Sequence, residues 1–275
     1  MANNNRDFHQ HQNRVRPKKF LGQHFLKDEN IAKRIAEALD YTSLDIVIEV
    51  GPGTGVLTQF LVENDSKLIA FEVDRESVAY LNEKYDDPIT KSKSFQLVEE
   101  DFLKADLLNY TAKKDFAIIG NFPYNISSQI LFKALENRTH VTQFAGMFQK
   151  EVAKRICESP GSKTYGILSV LTQAFFEVEY LFTVKPSNFN PPPKVDSGVI
   201  KLTRRENYHL DCDEVLFFKV VKTAFQQRRK TLRNSLKTFN LSDNLKSDLI
   251  FAKRPEQLFY IEFVELTQKI AQDAV

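Results

Sequence analysis

The sequence predicts an α/β fold, a mostly parallel sheet with helices on both faces, followed by a small all-helical module. Three observations predict it. Apolar strand candidates alternate with helix-like stretches from residue 46 to residue 148, the pattern of strands joined by crossover helices. A glycine-rich turn, Gly51-Pro52-Gly53-Thr54-Gly55, follows the first of these strands; such a turn lets backbone approach a nucleotide-like ligand with helix N–H groups pointing at it, a tight strand-to-helix connection being the plainer alternative. From about Arg204 the strand pattern stops and the remaining 72 residues read as helical.

Ile46-Val47-Ile48-Glu49-Val50 is the first strand candidate, and a helix is expected over 54 to 64. The second, 68 to 73, passes through Leu68-Ile69-Ala70-Phe71 into Glu72, with a helix expected over 75 to 85. The third, 95 to 99, ends in Glu99-Glu100-Asp101-Phe102. The fourth, 116 to 120, closes on Gly120-Asn121-Phe122-Pro123-Tyr124, and the next helix is expected over 127 to 137, capped by Ser127 or Ser128. A strand at 143 to 148 and helices near 149 to 158 and 165 to 176 follow, then late strands at Tyr180 to Val184 and Gly198 to Thr203. Between the late strands Asn190-Pro191-Pro192-Pro193 stiffens a loop that holds Phe189. That ring either faces a ligand or packs on the core. The expected division is a basic disordered tail over 1 to 18, a nucleotide-binding domain over 19 to 203 and a helical module over 204 to 275, with Arg254-Pro255 breaking a helix.

At 275 residues, 42% of them hydrophobic and 12% aromatic, the chain can bury one large core plus a smaller module. No apolar run approaches membrane-spanning length, and the N-terminus lacks a secretory core, so no membrane association is expected. Cys157 and Cys212 are the only cysteines. They form neither a metal spacing nor a disulfide framework, which fits a reducing, cytoplasmic setting. His9 and His11 sit in the polar tail, and no metal is expected there. The net charge of +2 conceals an asymmetry: residues 1 to 19 sum to +4 and residues 219 to 237 to +7, with no acidic residue in the second stretch. A solvated helical face normally interleaves acidic partners. Their absence around Arg228, Arg229, Lys230 and Arg233 points to phosphate binding instead.

The chemistry concentrates at the strand ends. Proline restricts Phe122 to an extended conformation, so the Phe122 carbonyl is aimed by covalent geometry. That carbonyl and the Asn121 side-chain oxygen are two acceptors suited to the two donors of an exocyclic amine, and Tyr124 offers a ring on which its heterocycle can stack. An ordinary Asn-X-Pro turn uses the same residue types. Glu72 lies about twenty residues past the first glycine, where a carboxylate can accept from both ribose hydroxyls. Asp101, beside Phe102, is placed to read an adenine amine; a solvated acidic run is the plainer alternative.

Together, Lys19-Phe20-Leu21-Gly22-Gln23-His24-Phe25-Leu26, Glu49 to Gly55, Asn121 to Tyr124, Phe189 to Ser197 and Gln227 to Leu236 resemble the bacterial small-subunit rRNA adenine N6,N6-dimethyltransferases. The resemblance implies a class I methyltransferase (Rossmann-like) fold that uses S-adenosylmethionine. It further implies a substrate of two adjacent adenosines in the 3′-terminal helix loop of 16S rRNA within the immature small ribosomal subunit, and a monomeric enzyme. Carried over by residue, the cofactor pocket falls on His24, Leu26, Gly51, Gly53, Glu72, Asp101 and Asn121. Catalysis falls on Asn121, Phe122, Pro123 and Tyr124, with Phe189 stacking on the opposite face of the base. His24 stands where Asn is frequent in the family, and Phe122 where Leu or Ile is frequent.

Three other readings share parts of this pattern. A dinucleotide-dependent dehydrogenase would use the glycine turn and Glu72 but has no use for Asn121-Phe122-Pro123-Tyr124. A large-subunit (23S) rRNA adenine methyltransferase shares the chemistry, yet the Phe189 to Ser197 loop and the Gln227 to Leu236 run look more like the small-subunit family. A non-catalytic RNA-binding assembly factor on the same fold would have no need of Glu72, Asp101 and Asn121 together.

Overall fold

A computed structural model describes residues 15–86 and 94–273. The described residues divide into two compact units, one of those up to Ala153 with Tyr180–Thr203, the other of Lys154–Glu179 with those from Arg204 onward.

The first unit is built on a seven-stranded sheet of order β4-β3-β2-β5-β6-β9-β7. Its strands are β2 (Ile46–Val50), β3 (Lys67–Glu72), β4 (Phe95–Glu99), β5 (Phe116–Asn121), β6 (Val141–Gln149), β7 (Phe176–Val184) and β9 (Ser197–Arg204). A separate ribbon pairs β1 (Phe25–Leu26) with β8 (Phe189–Asn190). Strands β2 to β6 pair in parallel, and β9 runs antiparallel to β6. Every residue of β2 is buried, and β5 is buried up to Gly120. Such continuous apolar runs are what a sheet covered on both faces requires. The chain leaves β2 toward β3 on one side and later returns to β5 on the other. The carboxyl ends of β2 and β5 therefore flank a topological switch point, where sheets of this kind open a crevice.

Helices in this unit are α1 (Glu29–Ala36), α2 (Thr58–Leu61), α3 (Arg75–Lys84), α4 (Leu107–Thr111) and α5 (Ser127–Glu136); α6 (Lys150–Cys157) follows β6 and crosses the division between the units after Ala153. Asp28, Asp74 and Asp106 cap α1, α3 and α4 by accepting from backbone N–H groups of the first turn. The helix expected over 54 to 64 shrinks to α2, because Gly51, Gly53 and Gly55 all take positive φ and hold residues 51 to 55 in a turn. The expected serine cap of α5 is corrected: Ile126 occupies the cap, and Ser127 Oγ donates instead to the Tyr124 carbonyl. Residues 15 to 18 belong to the folded unit rather than to a disordered tail, since Val15 is buried and Lys18 pairs with the buried Asp74. His9, His11 and the rest of the expected tail lie outside the described residues.

The second unit is helical, with α7 (Ile167–Phe175), α8 (Glu214–Gln226), α9 (Leu232–Ser235), α10 (Asp243–Lys246) and α11 (Tyr260–Asp273). Residues 154–179 pack in this unit, whereas the sequence boundary at 203 to 204 leaves them with the sheet. The reason is α7, which is buried from Ser169 through Phe175 and packs against both α8 and α11. A helix apolar on all sides needs helical neighbours around it. At Arg254-Pro255 the expected break is a 3₁₀ turn, Pro255–Gln257. Among the described residues no helix is long and apolar enough to cross a membrane.

Candidate active site

A cleft of about 340 Å³ opens at the carboxyl ends of the central strands. Gly51, Gly53, Glu72, Asp101 and Phe102 line one part, and Asn121 to Ile126 another; Phe20 to Phe25 close it from the N-terminal side.

The glycine turn shapes the cleft floor. Gly51 (φ 68°) donates its N–H to the Phe71 carbonyl at 2.9 Å, and a Cβ there would meet nothing closer than Pro123 at 3.9 Å. At Gly53 (φ 57°) a Cβ would lie 2.9 Å from the Phe25 ring. The left-handed backbone excludes most side chains at the first position, and crowding adds to it at the second. Gly53 N–H donates to Glu72 Oε2 at 3.0 Å, while Glu72 Oε1 accepts from the Val73 and Asp74 N–H groups at 2.8 and 2.9 Å. Burial raises the Glu72 pKa against the opposing pull of these three donors. The carboxylate is thereby locked in one orientation on the cleft wall. Asp101 caps its own turn, Oδ1 accepting from Leu103 N–H at 3.0 Å.

Asn121 ends β5 with its amide orientation fixed. Nδ2 donates to the His24 carbonyl at 3.0 Å, leaving Oδ1 as the acceptor the amide presents to a ligand. His24 Nδ1 lies 2.7 Å from the Pro191 carbonyl, which assigns the proton to that nitrogen, and its ring sits 5.5 Å from Tyr124 at a tilt of 31°. The Tyr124 hydroxyl bonds Ser197 Oγ, and burial pushes the phenol pKa up. The Phe122 side chain points the other way, 1% exposed, its ring 5.1 Å from Phe144 and 5.3 Å from Phe148. It lies across Gly120 and Gly146, which are register partners on β5 and β6. The corner is thus tied down by a buried ring on one side and by the His24 carbonyl on the other.

The N-terminal segment that supplies this carbonyl is itself anchored. Lys18 Nζ pairs with Asp74, Gln23 Nε2 donates to Asp74 Oδ2 at 3.3 Å, and Lys18 N–H donates to Gln23 Oε1 at 2.8 Å. Beneath the glycine turn lies Glu49, 1% exposed, accepting from Thr58 Oγ1 at 2.7 Å. Burial pushes its carboxyl up to about 8.

Nine expected residues therefore converge on one cleft: His24, Gly51, Gly53, Glu72, Asp101, Asn121, Phe122, Pro123 and Tyr124. Leu26 is buried and lines a smaller neighbouring pocket with Glu49 and Asn121. The stacking role expected of Phe189 is corrected. Pairing of Phe189 with Leu26 across the β1–β8 ribbon puts the ring in the core at 1% exposure, and it does not line the cleft. In the second unit, Arg229 and Lys230 are exposed, Arg228 donates to the Ser162 carbonyl at 2.9 Å and Arg233 to the Lys246 carbonyl at 2.9 Å. Ser197, Asp74 and Glu49 escaped the sequence reading as functional residues. Their partners lie 9 to 73 residues away in the chain, and no local pattern signals such pairs. Among the described residues no group of three His, Cys, Asp or Glu is placed to hold a metal ion.

The family model for ribosomal RNA adenine dimethylase matches residues 14–254. The chain belongs to that family. Two ribosomal RNA small subunit methyltransferases A are among its similar relatives. That of Flavobacterium johnsoniae is 61% identical over 262 residues, 95% of this chain and 98% of the relative. That of Bacteroides thetaiotaomicron is 56% identical over 259 residues, 94% and 95% of the two chains. Among solved structures, a dimethyladenosine transferase from Plasmodium falciparum superimposes with a TM-score of 0.78 at 27% identity, covering 92% of this chain and 99% of the other. The 23S rRNA methyltransferase ErmE does so with a TM-score of 0.67 at 26% identity, covering 89% and 99%.

Proposed function

We propose that this chain transfers methyl groups from S-adenosylmethionine to N6 of two adjacent adenosines in the 3′-terminal helix loop of small-subunit (16S) rRNA, giving N6-dimethyladenosines during small-subunit maturation. The observation that carries this reading is the fixed Asn121 amide, its nitrogen committed to the His24 carbonyl and its oxygen left as an acceptor. A dehydrogenase has no use for that acceptor. The relatives at 61% and 56% identity are named for the small subunit, whereas the large-subunit enzyme is 26% identical, so the small-subunit substrate is the better supported.

The cleft residues fit the cofactor. Glu72 offers a rigid carboxylate to ribose hydroxyls, Asp101 an acceptor to an adenine amine beside the Phe102 ring, and Gly51 and Gly53 an approach free of side chains. Once bound, the cofactor supplies an electrophilic methyl group on a sulfonium. The adenine N6 lone pair is delocalised into its ring and is a poor nucleophile. Asn121 Oδ1 and the Phe122 carbonyl accept the two N6 hydrogens, favouring the pyramidal form whose lone pair points at the methyl and stabilising the positive charge that develops on nitrogen. Tyr124 stacks on the base, worth about 1–3 kcal/mol, which offsets much of the few kcal/mol needed to extrude it. With its pKa raised, Tyr124 stays protonated and acts as a surface, not as a base. The N6 proton leaves to water, because the corner carries Asn where a base would need Asp. For the second methylation the amine has one donor fewer, and one of the two acceptors suffices to hold it. The exposed Arg229 and Lys230 of the second unit engage rRNA phosphates.

The direct test is mass analysis of undermethylated small-subunit and large-subunit rRNA after incubation with labelled cofactor, which should show two adjacent dimethyladenosines in the former; label in large-subunit rRNA alone would overturn the assignment. Asn121→Ala should keep cofactor affinity by calorimetry and lose methyl transfer by about 10²–10³-fold. Wild-type turnover would remove Asn121 from the mechanism.

A further inference from the structure

A single exposed hydrophobic side chain ordinarily needs no explanation. Phe20 is different because of where it stands and how it is held. Among the described residues six large hydrophobic side chains are exposed, and Phe20, at 79%, is the sole aromatic of the six. It lines the cleft that contains Asn121 and Tyr124, and it is flanked in sequence by the exposed Lys19 and, four residues back, by the exposed Arg16.

The backbone carrying it is not a loose tail. Lys19–Leu21 form a 3₁₀ turn closed by Gly22, whose N–H donates to the Lys19 carbonyl and whose φ is 67°. On one side Lys18 anchors the turn to Asp74, two residues past Glu72. On the other side Gly22 abuts Asn125, the residue after Tyr124, so closely that a Cβ would lie 2.5 Å from Asn125 Oδ1. Phe20 is therefore presented from a fixed span that runs from the ribose-binding end of the cleft to the base-binding corner.

We propose that Phe20 is a stacking platform for the nucleobase adjoining the one held at Tyr124. The inference rests on the rRNA-methylation reading above. Extruding one base strips its neighbour of a stacking partner, and a strand entering the cleft carries phosphates past the rim. An exposed ring interleaved with basic residues at that rim meets both needs, as in single-strand binding surfaces. The buried Phe189 cannot serve there.

The test compares wild type with Phe20→Ala and Phe20→Tyr on undermethylated small ribosomal subunits. The expected result is a KM for subunits raised roughly five- to 150-fold in the alanine variant, kcat and S-adenosylhomocysteine affinity within about twofold of wild type, and recovery with tyrosine. An unchanged KM overturns the proposal, as does a fall in kcat at unchanged KM, which would put the ring on the reacting base. The chain has nine Tyr and no Trp, so Phe20→Trp adds a lone indole that can be excited selectively. Quenching by the 3′-terminal rRNA fragment supports the proposal; quenching by S-adenosylhomocysteine alone assigns the ring to the cofactor and overturns it. If wild type itself fails to methylate subunits, the functional reading falls, an outcome distinct from any of these.

Discussion

Replacing Gly146 by alanine puts the greatest demand on the corner while leaving every polar group in place. The added Cβ would lie 2.3 Å from Phe122 Cε2 and 2.5 Å from the Gly120 carbonyl oxygen, where carbon contacts normally settle at about 3.5–4.0 Å. Something has to move by more than about 1 Å. The carbonyl belongs to the buried stretch of β5, and the Phe122 ring is wedged against Phe144 and Phe148, both 0% exposed. The shift is transmitted to the Phe122 peptide and to the neighbouring Asn121 side chain, the two acceptors. Overpacking of this kind costs about 1–3 kcal/mol of stability, and a displacement near 1 Å at a reacting group costs on the order of 10²-fold in rate. Gly51 and Glu72 lie on or after other strands, so cofactor affinity should change only a few-fold. Single-turnover methyl transfer, calorimetry with S-adenosylhomocysteine and thermal unfolding measure the three quantities. A wild-type transfer rate would refute the argument that the glycine pair holds the corner. Equal loss of cofactor binding and transfer would mean general damage instead.

Three further perturbations probe other parts of the structure. Ser197→Ala removes the partner of the Tyr124 hydroxyl and should weaken capture of the target base several-fold. The effect should vanish in a Tyr124→Phe background, and additive losses in the double variant would show that Ser197 acts elsewhere. Glu49, with its folded pKa raised to about 8 above the usual 4.5, contributes stability that is fully present below about pH 4.5 and is lost as the pH rises through about 8. Lys84, lowered by burial to about 8, works in the opposite sense above that pH. Glu49→Gln, which keeps an acceptor for Thr58, should flatten the fall in melting temperature between about pH 4.5 and 8; an unchanged slope would exclude Glu49 as its source. Replacing Arg229 and Lys230 by Gln should lower the salt dependence of rRNA binding by a slope of roughly one to two, and an unaltered slope would leave both residues without a role in phosphate binding.

Much of the fold was legible because its strands are short, apolar and bounded by turn residues. β2 and β4 match their expected limits, and the glycine turn, Glu72, Asp101 and Asn121 all come to one crevice as their strand-end positions require. What was not legible depends on contacts between distant segments. The β1–β8 ribbon is two residues long on each side, too short for any periodicity, yet it decides that Phe189 faces the core. α1 carries an Asp28 cap that the sequence displays, and its apolar positions went unread beside the stronger motif just before them. The glycines that give the turn its shape also shorten α2, a competition between close approach and helix propensity that residue spacing does not resolve. Assignment of residues 154–179 to the helical unit follows from the packing of α7, which a division drawn from strand content alone cannot anticipate.

The hydrogen bond from Asn121 to the backbone of His24 bears on how the corner can be disturbed. Its acceptor is a main-chain oxygen, so no substitution at position 24 removes that acceptor; from the His24 side only a change in the path of the polypeptide can break the bond. That path is held by the contacts of Lys18 and Gln23 to Asp74, so Asp74→Asn should lower turnover far more than yield, although Asp74 touches neither acceptor.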